Sequence, residues 1–176
     1  MALYTRKGDK GDTCFFGSKE RISKSSPKAE ALGDLDEINS LIGFCRAKCR
    51  DSGISGILRQ VQEDLFIIQA ELGGADKKIS QEKTDYLEGV IDSIEKKLPE
   101  IKTFFIPGGL ELSALLDFAR TVARRAERSA VALSEKKGGV RAESLAYLNR
   151  LSSLLYALAR LANFKSGEKE DYPSYE

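Results

Sequence analysis

The chain has no histidine, no tryptophan, a single methionine and only three cysteines among its 176 residues. Without histidine there is no Ser-His or Cys-His dyad, no imidazole metal ligand, and no side chain whose ordinary pKa lies near neutrality. An enzyme built this way would not depend on side-chain acid–base work. The odd cysteine count argues against a disulfide framework. Cys45 and Cys49, one helical turn apart, lack the further thiols or imidazoles that complete a zinc site, and read as small apolar helix residues. No apolar run reaches the length of a membrane span and no secretory apolar segment opens the chain, so a cytoplasmic protein is expected. An excess of charge is missing as well: 28 Lys and Arg offset 27 Asp and Glu, for a net charge of +1. That balance gives no global reason to expect nucleic acid or an anionic membrane as partner, and any function that needs cations must gather them locally. Strand-type alternation of useful length is also absent.

What is present is helical periodicity. Ser26-Pro27 has the character of a helix start, with a capping hydroxyl followed by a residue suited to the first turn. Leu32, Leu35, Ile38, Ile42, Cys45 and Cys49 then recur at three- and four-residue spacing, predicting a helix to about residue 50. A second stripe runs from Ile54 to Leu72 and ends at Gly73-Gly74, where glycine can take a left-handed cap. A third runs from Leu87 to Leu98 and is stopped by Pro99. A fourth helix is expected from about Glu111 to Glu135, ending near Gly138-Gly139, and a fifth from about Arg141 to Phe164. Five helices joined by short loops make an all-α, single-domain up-and-down bundle over residues 1–176, with the polar tail 165–176 expected to be flexible.

Three segments carry polar chemistry that a plain bundle does not need. "YTRKGDKGDT" at residues 4–13 is rich in glycine, hydroxyls and cations, a composition that could hold a phosphate chain or form a solvated arm. It is not a Walker A loop, because Gly8 to Gly11 has neither the spacing nor the Gly-Lys-Ser/Thr ending. On the fourth helix, Arg120, Arg124 and Glu127 fall within roughly 60 degrees of one another with Arg128 bordering them. Such a face suits a polyphosphate or a magnesium-phosphate pair, and equally a solvated, salt-bridged surface. Asn149 and Arg150 interrupt an apolar helix, so the Asn149 amide should have a partner, either another helix or a ligand. Between the third and fourth helices, "IKTFFIPGGLE" combines helix breakers with two adjacent phenylalanines and reads as a shaped loop.

In order and spacing, "YTRKGDKGDT", "ALGDLDEINSLIG", "FFIPGG", "RTVARRAER" and "YLNRLSSLLYALAR" resemble the PduO-type ATP:cob(I)alamin adenosyltransferases, from about Tyr4 to Phe164. The resemblance implies a five-helix bundle assembled as a homotrimer, with active sites between neighbouring subunits. It implies that residues 1–26 wrap ATP through Tyr4, Thr5, Arg6, Gly8, Asp9, Gly11, Thr13 and Lys24. Arg124, Arg125, Glu127, Arg128 and Asn149 match the family's nucleotide-contacting positions, and Asp36 and Arg120 match an intersubunit salt bridge. Phe104 matches the phenylalanine beneath the corrin, with Phe105 as the competing ring. Arg120, Arg124, Glu127 and Phe104 are thereby the candidate catalytic residues.

The implied reaction suits a chain without histidine. Reduced cobalt attacks C5′ of ATP and triphosphate leaves, so the nucleophile belongs to cobalamin, and the protein and Mg²⁺ supply orientation and charge. A cobalamin reductase and an adenosylcobalamin-dependent client enzyme are the implied partners. Two other readings are an ATP- and cobalamin-binding carrier without turnover, and a structural bundle whose charged helix makes subunit contacts. The glycine-rich arm together with the arginine face counts against the last.

Overall fold

Each apolar stripe becomes the buried face of a helix in the computed structural model, which describes residues 4–15, 20–137 and 139–174. The helices are α1 (Pro27–Lys48), α2 (Ser52–Gly73), α3 (Gln81–Glu95), α4 (Glu111–Lys137) and α5 (Ala142–Lys165). Contacts between them fix an up-and-down order. Arg125 of α4 reaches Asp34 of α1 while Lys48 reaches Glu111, so α1 and α4 are antiparallel. Asn149 meets Glu127 and Asn163 meets Leu110, so α5 is antiparallel to α4. Arg150 meets Glu88 and Arg160 meets the Pro99 carbonyl, so α3 runs parallel to α5. Among the described residues no helix is long and apolar enough to cross a membrane.

Leu35, Ile38 and Ile42 of α1, Leu58, Leu65 and Ile68 of α2, and Leu148, Leu151 and Leu155 of α5 are fully buried in one core. The inner face of α4 is different: Ala119, Ala123, Ala126 and Ala130 are all fully buried. Small side chains at the contact let helices approach closely, and α4 packs against both α1 and α5 along this stripe.

Local chemistry sets the helix ends. Ser26 Oγ accepts the Ala29 N–H at 3.3 Å, with Pro27 in the first turn, as the sequence predicts. Asp51 caps α2 by accepting the Ile54 N–H at 2.9 Å, and Gly74 closes it in the left-handed region at φ 99°. The third helix ends at Glu95, earlier than its apolar stripe, because the residue before Pro99 is disfavoured in helical conformation and the chain tightens into a turn at residues 96–98. Gly139 lies past α4 with φ 91°, and Gly138 is outside the described residues. Cys45 is fully buried and its thiol is pushed up to about 11 by desolvation. Cys49 is the C-terminal cap of α1, with its S–H on the Asp51 carbonyl.

Two features depart from the periodicity reading. The N-terminal arm contains a short hairpin, β1 (Asp12–Thr13) paired antiparallel with β2 (Ile22–Ser23). Two-residue strands are too short for alternation to register, and a side chain holds them: Arg21 donates to both Asp12 carboxylate oxygens at 2.6 Å and to the Lys7 carbonyl at 2.5 Å. The C-terminal tail, expected to fray, makes contacts with the bundle through residues 170–172. Glu170 pairs with Arg160, the Asp171 carbonyl accepts the Ile106 N–H at 2.8 Å, and the Tyr172 ring packs on Phe105.

A polar cluster is buried between α2, α3 and α5. Asp64 is fully buried and accepts from Tyr147 Oη at 3.0 Å, Lys83 Nζ at 2.5 Å and Gln60 Nε2 at 2.9 Å. Tyr147 is likewise buried, and desolvation, with the Asp64 charge beside it, raises its pKa well above the usual phenol range. Tyr147→Phe leaves one Asp64 oxygen without its donor and should lower stability by about 1–3 kcal/mol, read as a lower urea midpoint at unchanged slope. An unchanged midpoint would mean that the cluster contributes nothing.

Asp12 yields a pH prediction. Its hydrogen bonds to Arg21 hold the carboxyl below its ordinary value of 3.8. A depressed carboxylate contributes stability above the ordinary value, and that contribution is lost as pH falls through the lowered one. The hairpin clamp should therefore be intact at neutral pH and open only in stronger acid. Titrated by NMR, Asp12 should return towards its ordinary value in Arg21→Gln, whereas identical titrations in both proteins would contradict the clamp.

Candidate active site

The rotation that buries the alanine stripe of α4 decides where its charges go. At 100 degrees per residue, Arg120, Arg124 and Glu127 lie on the flank turned towards α5, Arg125 on the flank turned towards α1, and Arg128 on the outer side. The side-chain contacts follow that division. Arg125 engages Asp34, at 3.2 Å from its Nε, and Glu37, both on α1. Ser129 also donates to Asp34, at 2.5 Å. Arg125 thus fastens α4 to α1 and stands apart from the other nucleotide candidates, with which the family pattern groups it.

The α5 flank carries the site. Asn149 Nδ2 donates to Glu127 Oε1 at 2.8 Å, and its Oδ1 accepts from Arg150 at 2.5 Å. The partner that the asparagine needs is therefore a carboxylate on the neighbouring helix, with Arg150 oriented in turn by Glu88 at 2.6 Å. Among the described residues Arg124 and Arg128 make no ion pair. Together with Glu127, Val131, Ala132, Glu135 and Asn149 they line a groove of about 370 Å³. Two guanidiniums facing an open groove, with one anchored carboxylate between them, form a receptor for a polyanion.

Arg124 also borders a second, larger cleft of about 700 Å³, so the two spaces meet at one side chain. This cleft is lined by Phe104, Phe105, Arg120, Ser152, Ser153 and Tyr156, with residues 101–103 at its edge. Arg120 is held by Asp117 at 3.1 Å and lies 5.9 Å from the Tyr156 ring centroid. Tyr156, which the sequence pattern does not single out, is a wall of this cleft, and burial raises its pKa. The adjacent phenylalanines separate clearly. Both border the cleft, but Phe104 is 78% exposed, whereas Phe105 is packed between the Tyr172 ring at 5.2 Å and the Arg160 guanidinium at 4.8 Å.

The N-terminal candidates are gathered elsewhere. Lys24 Nζ donates to the Gly8 carbonyl at 3.0 Å, and its N–H to the Gly11 carbonyl at 2.9 Å. Gly11 has φ 82°, and Arg6, at φ 59°, holds a conformation that side chains rarely adopt. Arg6 lies over the Tyr4 ring at 5.6 Å. Tyr4, Thr5, Asp9 and Gly11 are exposed, and Gly8 and Thr13 partly so. Residues 4–13 and Lys24 thus form one preorganised loop, and Arg21, which no motif singled out, is its crosslink. None of these residues lines the groove or the cleft of the same chain. Asp36 is exposed on α1 and has no ion-pair partner among the described residues.

Among the described residues no three acidic or thiol side chains converge as a metal cage. Glu127 suits Mg²⁺ in the other way that this ion binds, through one or two carboxylates plus phosphate oxygens and water, since only its Oε1 is engaged by the protein.

Comparison with known proteins gives the same outline. A family model of cobalamin adenosyltransferases matches residues 3–162. The corrinoid adenosyltransferase PduO of Citrobacter freundii is 41% identical over 167 residues, covering 91% of this chain and 49% of that protein. The chain thus spans about half the length of that relative. The corrinoid adenosyltransferase of Bacillus subtilis is 41% identical over 178 residues, covering 95% and 89%. Among solved structures, a phenylalanine-to-alanine variant of the PduO-type ATP:corrinoid adenosyltransferase from Lactobacillus reuteri, complexed with cobalamin and ATP, superposes with a TM-score of 0.92. That match has 32% sequence identity and covers 98% of this chain and 100% of that one. With its sequence and its fold both matched over nearly the whole length, the chain belongs to the cobalamin adenosyltransferase family.

Proposed function

We propose that this protein transfers the 5′-deoxyadenosyl group of ATP to cob(I)alamin, forming adenosylcobalamin and triphosphate. The observation that carries the reading is the junction at Arg124. A groove with two unpaired guanidiniums opens there into a large cleft edged by aromatic rings, so an anionic and a bulky, partly apolar ligand can meet at one arginine. The names of the relatives and the ligands of the Lactobacillus reuteri structure support the same pair of substrates.

In this reaction the cobalt electron pair forms the bond to C5′ while the C5′–O bond breaks and its electrons leave with triphosphate. Cobalt is oxidised by two electrons and no proton need be moved by a side chain. Negative charge grows on the departing oxygen, and preorganised cations aimed at that charge lower the barrier. Arg124 and Arg128 fill this role, and Arg120 steadies the cleft wall. Glu127, held by Asn149, would be the protein ligand for Mg²⁺, which when bound neutralises polyphosphate charge. Phe104 lies under the corrin and keeps water and the lower axial base from the cobalt, while Phe105 belongs to the support of the loop.

The arm completes the ATP site with Tyr4, Thr5, Arg6, Gly8, Asp9, Gly11, Thr13 and Lys24. Because it stands apart from the groove of its own chain, we infer that it serves the groove of a neighbour in a homotrimer. Asp36 of one subunit then pairs with Arg120 of the next. A cobalamin reductase supplies cob(I)alamin, and an adenosylcobalamin-dependent enzyme uses the product.

Anaerobic incubation with ATP, Mg²⁺ and chemically reduced cobalamin should develop the adenosylcobalamin spectrum. Binding of both substrates without product would favour a carrier. Arg124→Ala should slow turnover by about a hundredfold, the scale of one lost preorganised donor. Arg124→Lys should recover only part of this, because a point charge does not reproduce the planar fork. Normal turnover in a folded Arg124→Ala protein would make the arginine flank structural. Phe104→Ala should keep ATP binding but lose most activity started from cob(II)alamin, and its bound cob(II)alamin should revert from a four- to a five-coordinate spectrum. Retention of the four-coordinate spectrum would remove Phe104 from the reaction.

A further inference from the structure

The loop that carries Phe104 has almost no structure of its own. Between Leu98 and Leu110 it contains no helix or strand, and its one backbone–backbone hydrogen bond among the described residues runs from the Ile106 N–H to the Asp171 carbonyl of the tail. Everything else that fixes it also comes from α5 and the tail. Arg160, only 6% exposed, donates through Nε and Nη2 to the two Glu170 oxygens at 2.6 and 3.0 Å. The same Nη2 donates to the Pro99 carbonyl at 3.1 Å, and the guanidinium covers the Phe105 ring. Tyr172 closes on Phe105 from the tail. At the far end of the loop, Asn163 donates to the Gly108 carbonyl and accepts the Leu110 N–H, each at 3.1 Å. Gly109 sits so close that a Cβ there would lie 2.6 Å from the Asn163 side chain.

From these contacts we infer that the C-terminal segment 170–172 is a clasp that positions Phe104. Arg160, Glu170 and Tyr172 act as positioning residues for the cobalamin side of the reaction. The inference rests on the corrinoid reading of the cleft. Tyr172 and Arg160 hold the Phe105 ring, and the backbone so fixed keeps the neighbouring, exposed Phe104 ring at the cleft. The Asp171 carbonyl holds the following N–H, that of Ile106, and so fixes the peptide on the other side of Phe105. Without the clasp, binding a corrinoid would have to order the loop at the moment of association, and that cost would appear as weaker binding. The ATP groove lies towards the other end of α4 and shares no contact with the tail, so ATP binding should not feel the loss.

The test compares Tyr172→Ala, Tyr172→Phe and Glu170→Gln with the parent protein. Tyr172→Phe keeps the ring and should behave as the parent. In ligand-free protein, hydrogen exchange of the Ile106 N–H should speed up at least about fivefold in Tyr172→Ala and Glu170→Gln, with core amides of α5 unchanged, as expected for the loss of one ring pair or one charged contact. With cob(II)alamin as probe and ATP present, the same two variants should bind about three- to tenfold more weakly and show a smaller four-coordinate fraction, at unchanged KM for ATP. Unchanged exchange at the Ile106 N–H overturns the clasp. A loosened loop with parent-like cob(II)alamin affinity and spectrum overturns its positioning role while leaving the proposed reaction intact. A parent protein that does not bind cob(II)alamin removes the corrinoid reading itself, and the positioning role with it.

Discussion

The close packing of one alanine stripe governs the molecule. Ala119, Ala123, Ala126 and Ala130 let α4 lie tightly between α1 and α5, and no other rotation of α4 buries four such small side chains at once. That single register determines the position of every charge on the helix. Arginines one residue after the alanines fall on the α5 flank, and the arginine before Ala126 falls on the α1 flank. A rotation of one residue would turn the Arg124 row away from Asn149 and into α1, where Asp34 and Glu37 already hold a cation.

This division separates the paired cation from the unpaired ones. Arg125 is neutralised within the chain and ties two helices together. Arg124 and Arg128, without ion pairs among the described residues, face an open groove and are left available to an anion. Glu127 lines the same groove and is itself fixed by Asn149. With no histidine in the chain, the proposed reaction would rest on fixed charges and fixed shape rather than on proton transfer. Rigidity is therefore the property to be built. Arg21 clamps the arm, Asn149 anchors Glu127, and the tail supports the loop beneath the cleft.

The helices were legible because each carries a long stripe whose period is unambiguous, and Ser26-Pro27 and Gly74 mark their ends through chemistry local to a few residues. The limits of legibility are equally physical. The third helix stops short of Leu98 because Pro99 acts on the conformation of the residue before it. The hairpin depends on Arg21 meeting Asp12 across a reversal that no periodicity encodes. A tail of composition "KSGEKEDYPSYE" reads as solvated, and only the return of the chain past Gly167 lets Glu170 reach a guanidinium buried on α5. The different surroundings of Phe104 and Phe105 are hidden from the sequence for the same reason, since what distinguishes the rings is a contact with Tyr172, some seventy residues away. Arg125 and Arg124 differ by one position, and their separation required knowing which neighbour stands on each flank of α4.

In the proposed assembly the unpaired guanidiniums of one chain and the glycine-rich arm of another make one site. The most direct measurement uses two inactive chains, Arg124→Ala and Lys24→Ala, unfolded together and reassembled. In a cyclic trimer, every mixed assembly contains one site that joins an intact arm to an intact arginine flank. The account predicts that adenosylcobalamin formation, absent from either variant alone, returns in the co-assembled mixture. Verified co-assembly without any return of activity would contradict it.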